Sequence, residues 1–429
     1  MSTYLTPEQR QLLNRFSNNL EDHPIEPTDA FYYPFLEMTD DDPIEELAGQ
    51  IRFSQSQSVS LFTGQIGSGK STEFRRLQQL LKDNGCEVFL IDMREYMNLT
   101  TPVEISDFLI SLMAGFSEHV EMRFKKSPHE SSYLQRLGKV LTQEVILGDV
   151  DVAGIKASLR DDPDFKQQLQ QRLRGHATRI VKDAQNYAQD VVELIRKETN
   201  DPNKKVAILV DSVEQLTGVG VEGAIEVYKS VENLFTGHAN SLQIPTLHIV
   251  YTIPPYLTAL AQGLGRRLGN NLVCSLPSVH VQSKDEQADL RGLVVMREII
   301  QRRCAEWRTI FSVDQLDTLA KASGGDVRDF FRLIRNSLIK ASFGHRGGIP
   351  VQDAIIEQSL NKLRREMLPL AEDDRLWLRE IADQKQANLK SKDKLPDFAR
   401  FFDCKLVLNY RNGEDWYDVH PLIRDEVRR

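Results

Sequence analysis

Cysteine is scarce in this sequence, since only four of the 429 residues are cysteines: Cys86, Cys274, Cys304 and Cys404. They lie far apart, with no C-x-x-C pair and no spacing typical of zinc ligands. This pattern excludes a disulfide framework and a zinc-finger type of site. Isolated cysteines are typical of reduced thiols, so we expect a cytoplasmic protein.

Long hydrophobic runs and an excess of basic residues are missing as well. No uncharged apolar stretch approaches about 18 residues, and no basic segment followed by an apolar one opens the chain, so we expect neither a membrane span nor a secretory signal. Lys and Arg number 54 against 62 Asp and Glu, and the net charge of −8 excludes an overall basic coat for nucleic acid. The 41% hydrophobic and 27% charged residues indicate a folded protein, long enough for two or three domains.

One segment has the pattern of a phosphate-binding loop, G-x-x-x-x-G-K-[ST], at residues 64–71. A predicted strand, 58–62, precedes it, and a helical pattern over 72–84 follows it. Glycines let backbone N–H groups surround a phosphate, Lys70 would reach the β- and γ-phosphates, and the Ser71 hydroxyl would bind Mg²⁺. We therefore predict that ATP and Mg²⁺ are bound here, by Gly64, Gln65, Ile66, Gly67, Ser68, Gly69, Lys70, Ser71 and Thr72.

An acidic residue at the end of a second hydrophobic strand is the expected partner of such a loop. Residues 206–210 are apolar, and Asp211 follows them directly. Asp211 would hold Mg²⁺, whereas the alternative is a cap for the next helix. Glu214, three residues later, is the predicted base that polarises the attacking water.

Two segments carry a resemblance to known families. The run 209–214 resembles the STAND branch of AAA+-related ATPases, in which a small residue follows the acid and a second acid comes later. Residues 322–334, with Gly324-Gly325-Asp326-Val327-Arg328, resemble the helical lid of origin-recognition-type AAA+ ATPases. The resemblance implies an α/β fold: a P-loop parallel sheet with flanking helices and a helical insertion, followed by an all-helical AAA+ lid and a C-terminal winged helix.

The same resemblance assigns roles to further residues. Arg328 corresponds to the sensor-2 arginine that contacts the γ-phosphate, although Arg328, Arg332 and Arg335 share one helical face and a solvated basic stripe is the alternative. Thr252 stands at the sensor-1 position, where the commoner AAA+ pattern has Asn. Arg266 and Arg267 are either an arginine finger for a neighbouring subunit or a surface pair. Before the loop, Tyr32, Tyr33 and Phe35 either flank the adenine or belong to the core.

The expected domains follow the order of these motifs. Residues 1–57 are a helical and extended lead-in, and 58–282 form the ATPase core, with a mainly helical insertion at about 102–200 that includes a predicted hairpin over 145–159. Residues 283–368 are the lid. Residues 369–429 are the winged helix, with a hairpin over 405–419.

These features favour an ATP-driven switch over a DNA-handling machine. We expect slow ATP hydrolysis, homo-oligomer formation on ATP binding, and a protein partner, as in STAND proteins of signalling and bacterial antiviral defence. The alternative is a DNA-handling loader of the replication or transposition type. We do not favour it, because 369–429 contain 12 Lys and Arg against 13 Asp and Glu and phosphate contacts need a basic surplus. The segment 395–403 adds three phenylalanines that suit packing against protein.

Overall fold

A computed structural model describes residues 5–34, 42–127, 133, 152–260, 263–268, 273–343 and 348–429. The strands are β1 (Ser58–Gly64), β2 (Glu87–Asp92), β3 (Val206–Asp211), β4 (Leu247–Ile253), β5 (Val273–Leu276), β6 (Val407–Asn412) and β7 (Glu414–Val419). The helices before β4 are α1 (Pro7–Asn19), α2 (Pro43–Phe53), α3 (Lys70–Asp83), α4 (Ile105–Phe124), α5 (Val152–Asp161), α6 (Pro163–Leu173), α7 (Ala177–Glu198) and α8 (Gly220–Thr236). Those after it are α9 (Pro255–Leu260), α10 (Leu264–Arg267), α11 (Leu290–Arg303), α12 (Val313–Ala322), α13 (Val327–Ala341), α14 (Asp353–Glu366), α15 (Glu372–Gln384), α16 (Leu395–Asp403) and α17 (Arg424–Arg428).

A parallel sheet with the strand order β2-β3-β4-β1-β5 forms the centre of the molecule. Its strands are apolar and buried, because helices cover both faces: α2 and α3 lie on one side, and α4, α7 and α8 lie on the other. Parallel strands end at one common edge, so the loop after β1 lies on the same edge as the residues after β2, β3 and β4. The predicted α/β fold with a P-loop parallel sheet is confirmed.

The insertion between β2 and β3 is helical in its described part, and the predicted hairpin over 145–159 is wrong there. Residues 152–161 form α5, and residues 145–151 lie outside the described residues. Val152, Ile155 and Leu159 recur at helical spacing, and Leu159 is buried in the main core. Gly154 lies inside this helix, so it marks no turn there. Each helix in the described part of the chain is too short or too polar to span a lipid bilayer.

Helices α11 to α14 form a second core, which follows the sheet in the chain and corresponds to the predicted lid region. Trp307, Phe330 and Ile334 are among its buried side chains. Helix α1 belongs to this core too, since Phe16 packs edge-on against Phe311 at 6.5 Å between ring centroids. The N-terminal helix is thereby anchored on the lid rather than on the sheet.

The C-terminal residues pack on the ATPase core through α16. Phe398, Phe401 and Phe402 are buried in the core cluster that also contains the sheet, and α16 lies against α8 and α9. The Tyr228 hydroxyl of α8 donates a hydrogen bond of 2.6 Å to Asp403 Oδ2 at the end of α16. Strands β6 and β7 form an antiparallel hairpin that turns at Gly413. That the whole segment is a winged helix stays a prediction.

The hairpin and Lys405, two residues before it, also contact the start of α13. Lys405 Nζ donates a hydrogen bond of 2.7 Å to Asp326 Oδ1, and it lies 3.5 Å from Asp329 Oδ2. The Tyr410 hydroxyl donates to the Gly324 carbonyl at 2.7 Å. Gly324 has φ +62, and a Cβ there would come within 2.3 Å of Leu408. The C-terminal hairpin is therefore fitted closely to the segment that carries Arg328.

We expect Asp403→Asn to change the pH dependence of unfolding. Burial raises the pKa of Asp403 to about 6, and the hydrogen bond from Tyr228 offsets only part of that effect. Because the folded-state pKa is raised, folding favours the protonated acid, and stability falls as the pH rises from about 4 through 6. Relative to the variant, the wild type should lose up to about 3 kcal/mol over this range. Urea unfolding at pH 4.5, 6.0 and 7.5 measures the difference, with the more exposed Asp397→Asn on the same helix as control. Parallel pH curves for wild type and Asp403→Asn would contradict the expectation.

Candidate nucleotide site

The phosphate loop connects β1 to α3 and leaves backbone N–H groups at the start of that helix. Gly67 and Gly69 have φ of +91 and +100, in the left-handed region that favours glycine. A Cβ on Gly67 would come within 2.7 Å of the Arg328 side chain, so a larger residue would also clash with the lid. Free N–H groups at the positive end of a helix bind anions, and phosphate is the anion that the loop pattern predicts.

Lys70, the loop lysine, is almost completely buried, with 4% of its surface exposed. Its Nζ donates hydrogen bonds of 2.9 Å to the carbonyls of Gly64 and Gln65. The third contact is an ion pair of 3.2 Å with Glu214 Oε1. The structure thus brings together the predicted phosphate-binding lysine and the predicted base, which lie 144 residues apart in the sequence (214 − 70).

Asp211 lies beneath the loop, beside Ser71. It accepts hydrogen bonds from the Ser71 hydroxyl and, at 2.8 Å, from the Ser212 backbone N–H. Burial, and then the negative charge of Glu214, raise the pKa of Asp211 to about 6. A cation at this position would relieve both effects, and the carboxylate and hydroxyl oxygens are the ligands that Mg²⁺ prefers. Asp211 and Ser71 therefore fit Mg²⁺.

A cavity lies against the phosphate loop and is lined by residues 66–72, Glu214 and Arg328, among others. Glu214 reaches this cavity because the chain turns sharply after β3. Ser212 has φ +69, and a 3₁₀ turn over Val213–Gln215 follows it. Glu214 Oε2 is buried without a hydrogen-bond partner among the described residues. A buried acceptor of this kind can bind a water molecule, as a general base requires.

Thr252 is not part of the cavity wall, although the sequence placed it at the sensor-1 position. Its side chain is fully buried, and its Oγ1 accepts a hydrogen bond of 3.1 Å from the Val213 N–H. The contact fixes the turn that carries Glu214. In this structure Thr252 can act on the site only through that turn.

Arg328 is the member of the basic stripe that faces the cavity. It packs on Gly67, and its guanidinium is ion-paired with Asp22, which also lines the cavity. Arg332 instead pairs with Asp329 at 3.3 Å and with Glu366 at 2.5 Å. Of these three arginines, only Arg328 lines the cavity, so it is the one that could contact a bound phosphate.

Arg266 and Arg267 lie on the surface, away from this cavity. They form the end of the short helix α10 and are both exposed. The structure does not bring them to the site of their own chain, so their predicted finger role requires a second subunit.

Another part of the cavity wall is formed by aromatic side chains, among them the predicted Tyr32 and Tyr33, and by Arg303, which no sequence motif indicated. The guanidinium of Arg303 lies 4.6 Å from the ring centroid of Phe331 and donates a 3.0 Å hydrogen bond to the Phe31 carbonyl. Burial lowers the pKa of Arg303 to about 10. Tyr32 and Tyr33 both line the cavity, and the buried Tyr32 donates a hydrogen bond of 3.0 Å from its hydroxyl to Glu73. Phe35 lies outside the described residues.

Gln65 points away from the cavity, toward the C-terminal hairpin. Its side chain is buried, and Nε2 donates a hydrogen bond of 2.9 Å to the Val407 carbonyl of β6. This bond connects the phosphate loop directly to the C-terminal segment. Gly64 also lies behind the cavity wall, while residues 66–72 form part of it.

Comparison with known proteins gives structural neighbours but no family assignment. No family model matches the chain, and no curated protein matches its sequence. A Walker-type ATPase of Pyrococcus abyssi is 13% identical, with a TM-score of 0.44, and the alignment covers 96% of this chain and 100% of that one. The Cdc6 protein of Pyrobaculum aerophilum is 11% identical (TM-score 0.37; 94% and 99% covered), as is an ADPNP–ADP form of the Aeropyrum pernix ORC2 protein (0.37; 96% and 98%). None of them identifies a reaction or partner for this chain.

The structure itself shows a phosphate-loop fold. The parallel sheet has the phosphate loop after β1 and Asp211 at the end of β3, and the helical segment after the sheet places Arg328 against the loop. This is the arrangement of a P-loop nucleotide site. The predicted P-loop parallel sheet is confirmed.

Proposed function

We propose that this protein is an AAA+ P-loop ATPase that binds and slowly hydrolyses ATP with Mg²⁺. We further propose that the bound nucleotide controls the position of the C-terminal segment, self-assembly and the binding of a partner protein. The observation that carries the proposal is the group of Lys70, Ser71, Asp211 and Glu214 at one edge of the sheet. The Lys70–Glu214 ion pair and the Ser71–Asp211 hydrogen bond bring together a lysine, a hydroxyl and two carboxylates, which are the parts that phosphoryl transfer needs.

Each of these residues has a separate part in the chemistry. Lys70 would neutralise charge on the β- and γ-phosphates, and Ser71 and Asp211 would hold Mg²⁺. When bound, Mg²⁺ neutralises and orients the phosphate oxygens. Glu214 would take the proton of an attacking water once a phosphate competes for Lys70, because the ion pair then loosens and frees its carboxylate.

Contacts of the C-terminal hairpin support the switch. Val407 is bonded to the phosphate loop through Gln65, and Lys405 is bonded to Asp326, which caps α13 two residues before Arg328. A shift of the loop or of Arg328 on nucleotide binding would therefore move the same hairpin. We include in this proposal that the switch binds a protein partner and acts in signalling or defence.

DNA handling is the alternative function, and the structure gives it less support. The candidate recognition helix α16 buries its phenylalanines against the ATPase core. In the lysine-containing loop before it, Lys390 pairs with Glu380 at 3.0 Å and Lys394 with Asp397 at 3.3 Å. A salt-sensitive affinity for duplex DNA would reverse this preference.

Self-association on ATP binding is the test of the switch. With Mg²⁺ and a non-hydrolysable ATP analogue, we expect the protein to elute as an oligomer from a sizing column. Turnover per subunit should rise with protein concentration, because an arginine supplied by a neighbour stabilises the transition state only after assembly. Arg266→Ala with Arg267→Ala should remove that rise, whereas the exposed Arg365→Ala should retain it. A monomer in light scattering with concentration-independent turnover would contradict self-association.

A further inference from the structure

Arg94 is a cavity residue that no sequence motif indicated. It lies in the 3₁₀ turn Met93–Glu95 directly after β2, and it lines the same cavity as Lys70, Ser71 and Glu214. Strand β2 pairs with β3 in a register that sets Asp92 opposite Asp211. The topology therefore places this arginine beside the acidic end of the site.

Asp92 holds the guanidinium in a fixed orientation. Its carboxylate accepts hydrogen bonds from the Arg94 backbone N–H at 3.0 Å and from Arg94 Nε at 3.0 and 2.9 Å. Arg94 Nη2 adds a bond of 2.5 Å. The Ser212 hydroxyl, next to Asp211, donates to the same carboxylate. These contacts with Asp92, which is itself held by Ser212 from the neighbouring strand β3, fix the direction of the Arg94 side chain before any ligand binds.

Part of the guanidinium remains available for a ligand. In the described portion of the chain, Arg94 Nη1 donates to no acceptor, and about half of the side chain, 52%, is exposed. An oriented guanidinium with a free donor, in the wall of a phosphate cavity, is suited to a phosphate oxygen.

We propose that Arg94 binds the γ-phosphate in its own subunit and so lets the protein distinguish ATP from ADP. The inference rests on the proposed nucleotide function and adds a residue to it. It assigns to the chain itself a phosphate-binding arginine that is independent of assembly, whereas Arg266 and Arg267 would act only between subunits. Asp92 is then a positioning residue, because it acts through Arg94.

The experiment compares two affinities in three variants. Binding of ADP and of a non-hydrolysable ATP analogue, each with Mg²⁺, is measured by calorimetry on the full chain. For Arg94→Ala, we expect the analogue affinity to fall about 10- to 100-fold and the ADP affinity to change by less than about 3-fold. Arg94→Lys should lie between, since it keeps the charge and loses the planar fork.

Arg123→Ala is the matched control, because Arg123 pairs with Glu87 at the opposite end of β2 with a bond of 3.1 Å. It should behave as the wild type does. An equal loss of ADP and analogue affinity in Arg94→Ala would show a structural role and overturn the proposal, as would unchanged affinity for both. If the wild type bound neither nucleotide, the proposed function would fail together with this inference. Melting curves verify that each variant is folded.

Discussion

Replacing Lys70 with alanine should abolish nucleotide binding, with a loss of at least about 100-fold in affinity. The side chain is the buried cation beside the loop carbonyls, and it is the group that would face the β- and γ-phosphates. Calorimetric titration of ADP and of an ATP analogue with Mg²⁺ measures the loss. A variant that retained near wild-type affinity would remove Lys70 from the site.

The structure adds a complication that this experiment has to control. Lys70 is ion-paired with Glu214, so Lys70→Ala leaves a buried carboxylate unpaired, which typically costs about 3–5 kcal/mol of folding free energy. The double variant Lys70→Ala, Glu214→Gln removes the uncompensated charge. We expect it to recover thermal stability while nucleotide binding stays lost. Recovery of binding together with stability would show that Lys70 only supports the fold.

Glu214→Gln should stop hydrolysis while ATP stays bound. The substitution keeps the size of the side chain and removes the charge with which it would polarise water, so turnover should fall by about 10²- to 10⁴-fold. Phosphate release under saturating ATP measures turnover, and calorimetry measures binding. Because a glutamine at position 214 cannot form the ion pair with Lys70, the variant should bind ATP at least as tightly as the wild type does.

The exposed Glu222→Gln, eight residues later at the start of α8 (222 − 214), is the matched control and should hydrolyse ATP at the wild-type rate. Unchanged turnover in Glu214→Gln would mean that another group, or none, activates the water. Asp211 could not replace it while holding Mg²⁺. Comparison of Glu214→Gln with Glu222→Gln therefore shows whether turnover falls because a catalytic base is lost or because any negative charge is lost.

Local patterns explain how much of the site could be predicted. Lys70 and Ser71 belong to one contiguous loop, and Asp211 follows a strand that is apolar over five residues. Such signals lie within a few residues of the side chain concerned, so sequence reasoning found them. Their proximity in space then followed from the common edge of parallel strands.

The rest of the site depends on contacts between distant segments. Arg303 meets Phe31 across 272 residues, and Gln65 meets Val407 across 342. Neither pair leaves a periodic or motif-like trace in the sequence, because only the packed fold brings the partners together. Thr252 lies near the end of β4, where the sequence predicts it, but its hydroxyl accepts a hydrogen bond from the Val213 backbone N–H and is not part of the cavity wall.

The bond between Gln65 and Val407 has a consequence for the timing of synthesis. A ribosome adds about 5–20 residues per second, so about 17–70 s separate the appearance of Gln65 from that of its acceptor. During this interval the phosphate loop has been synthesised, but strand β6, whose Val407 carbonyl accepts the hydrogen bond from the Gln65 side chain, has not. The loop can therefore reach its final packing only near the end of translation. A nascent chain that is interrupted before β6 would have every residue of the phosphate loop and still lack the finished site.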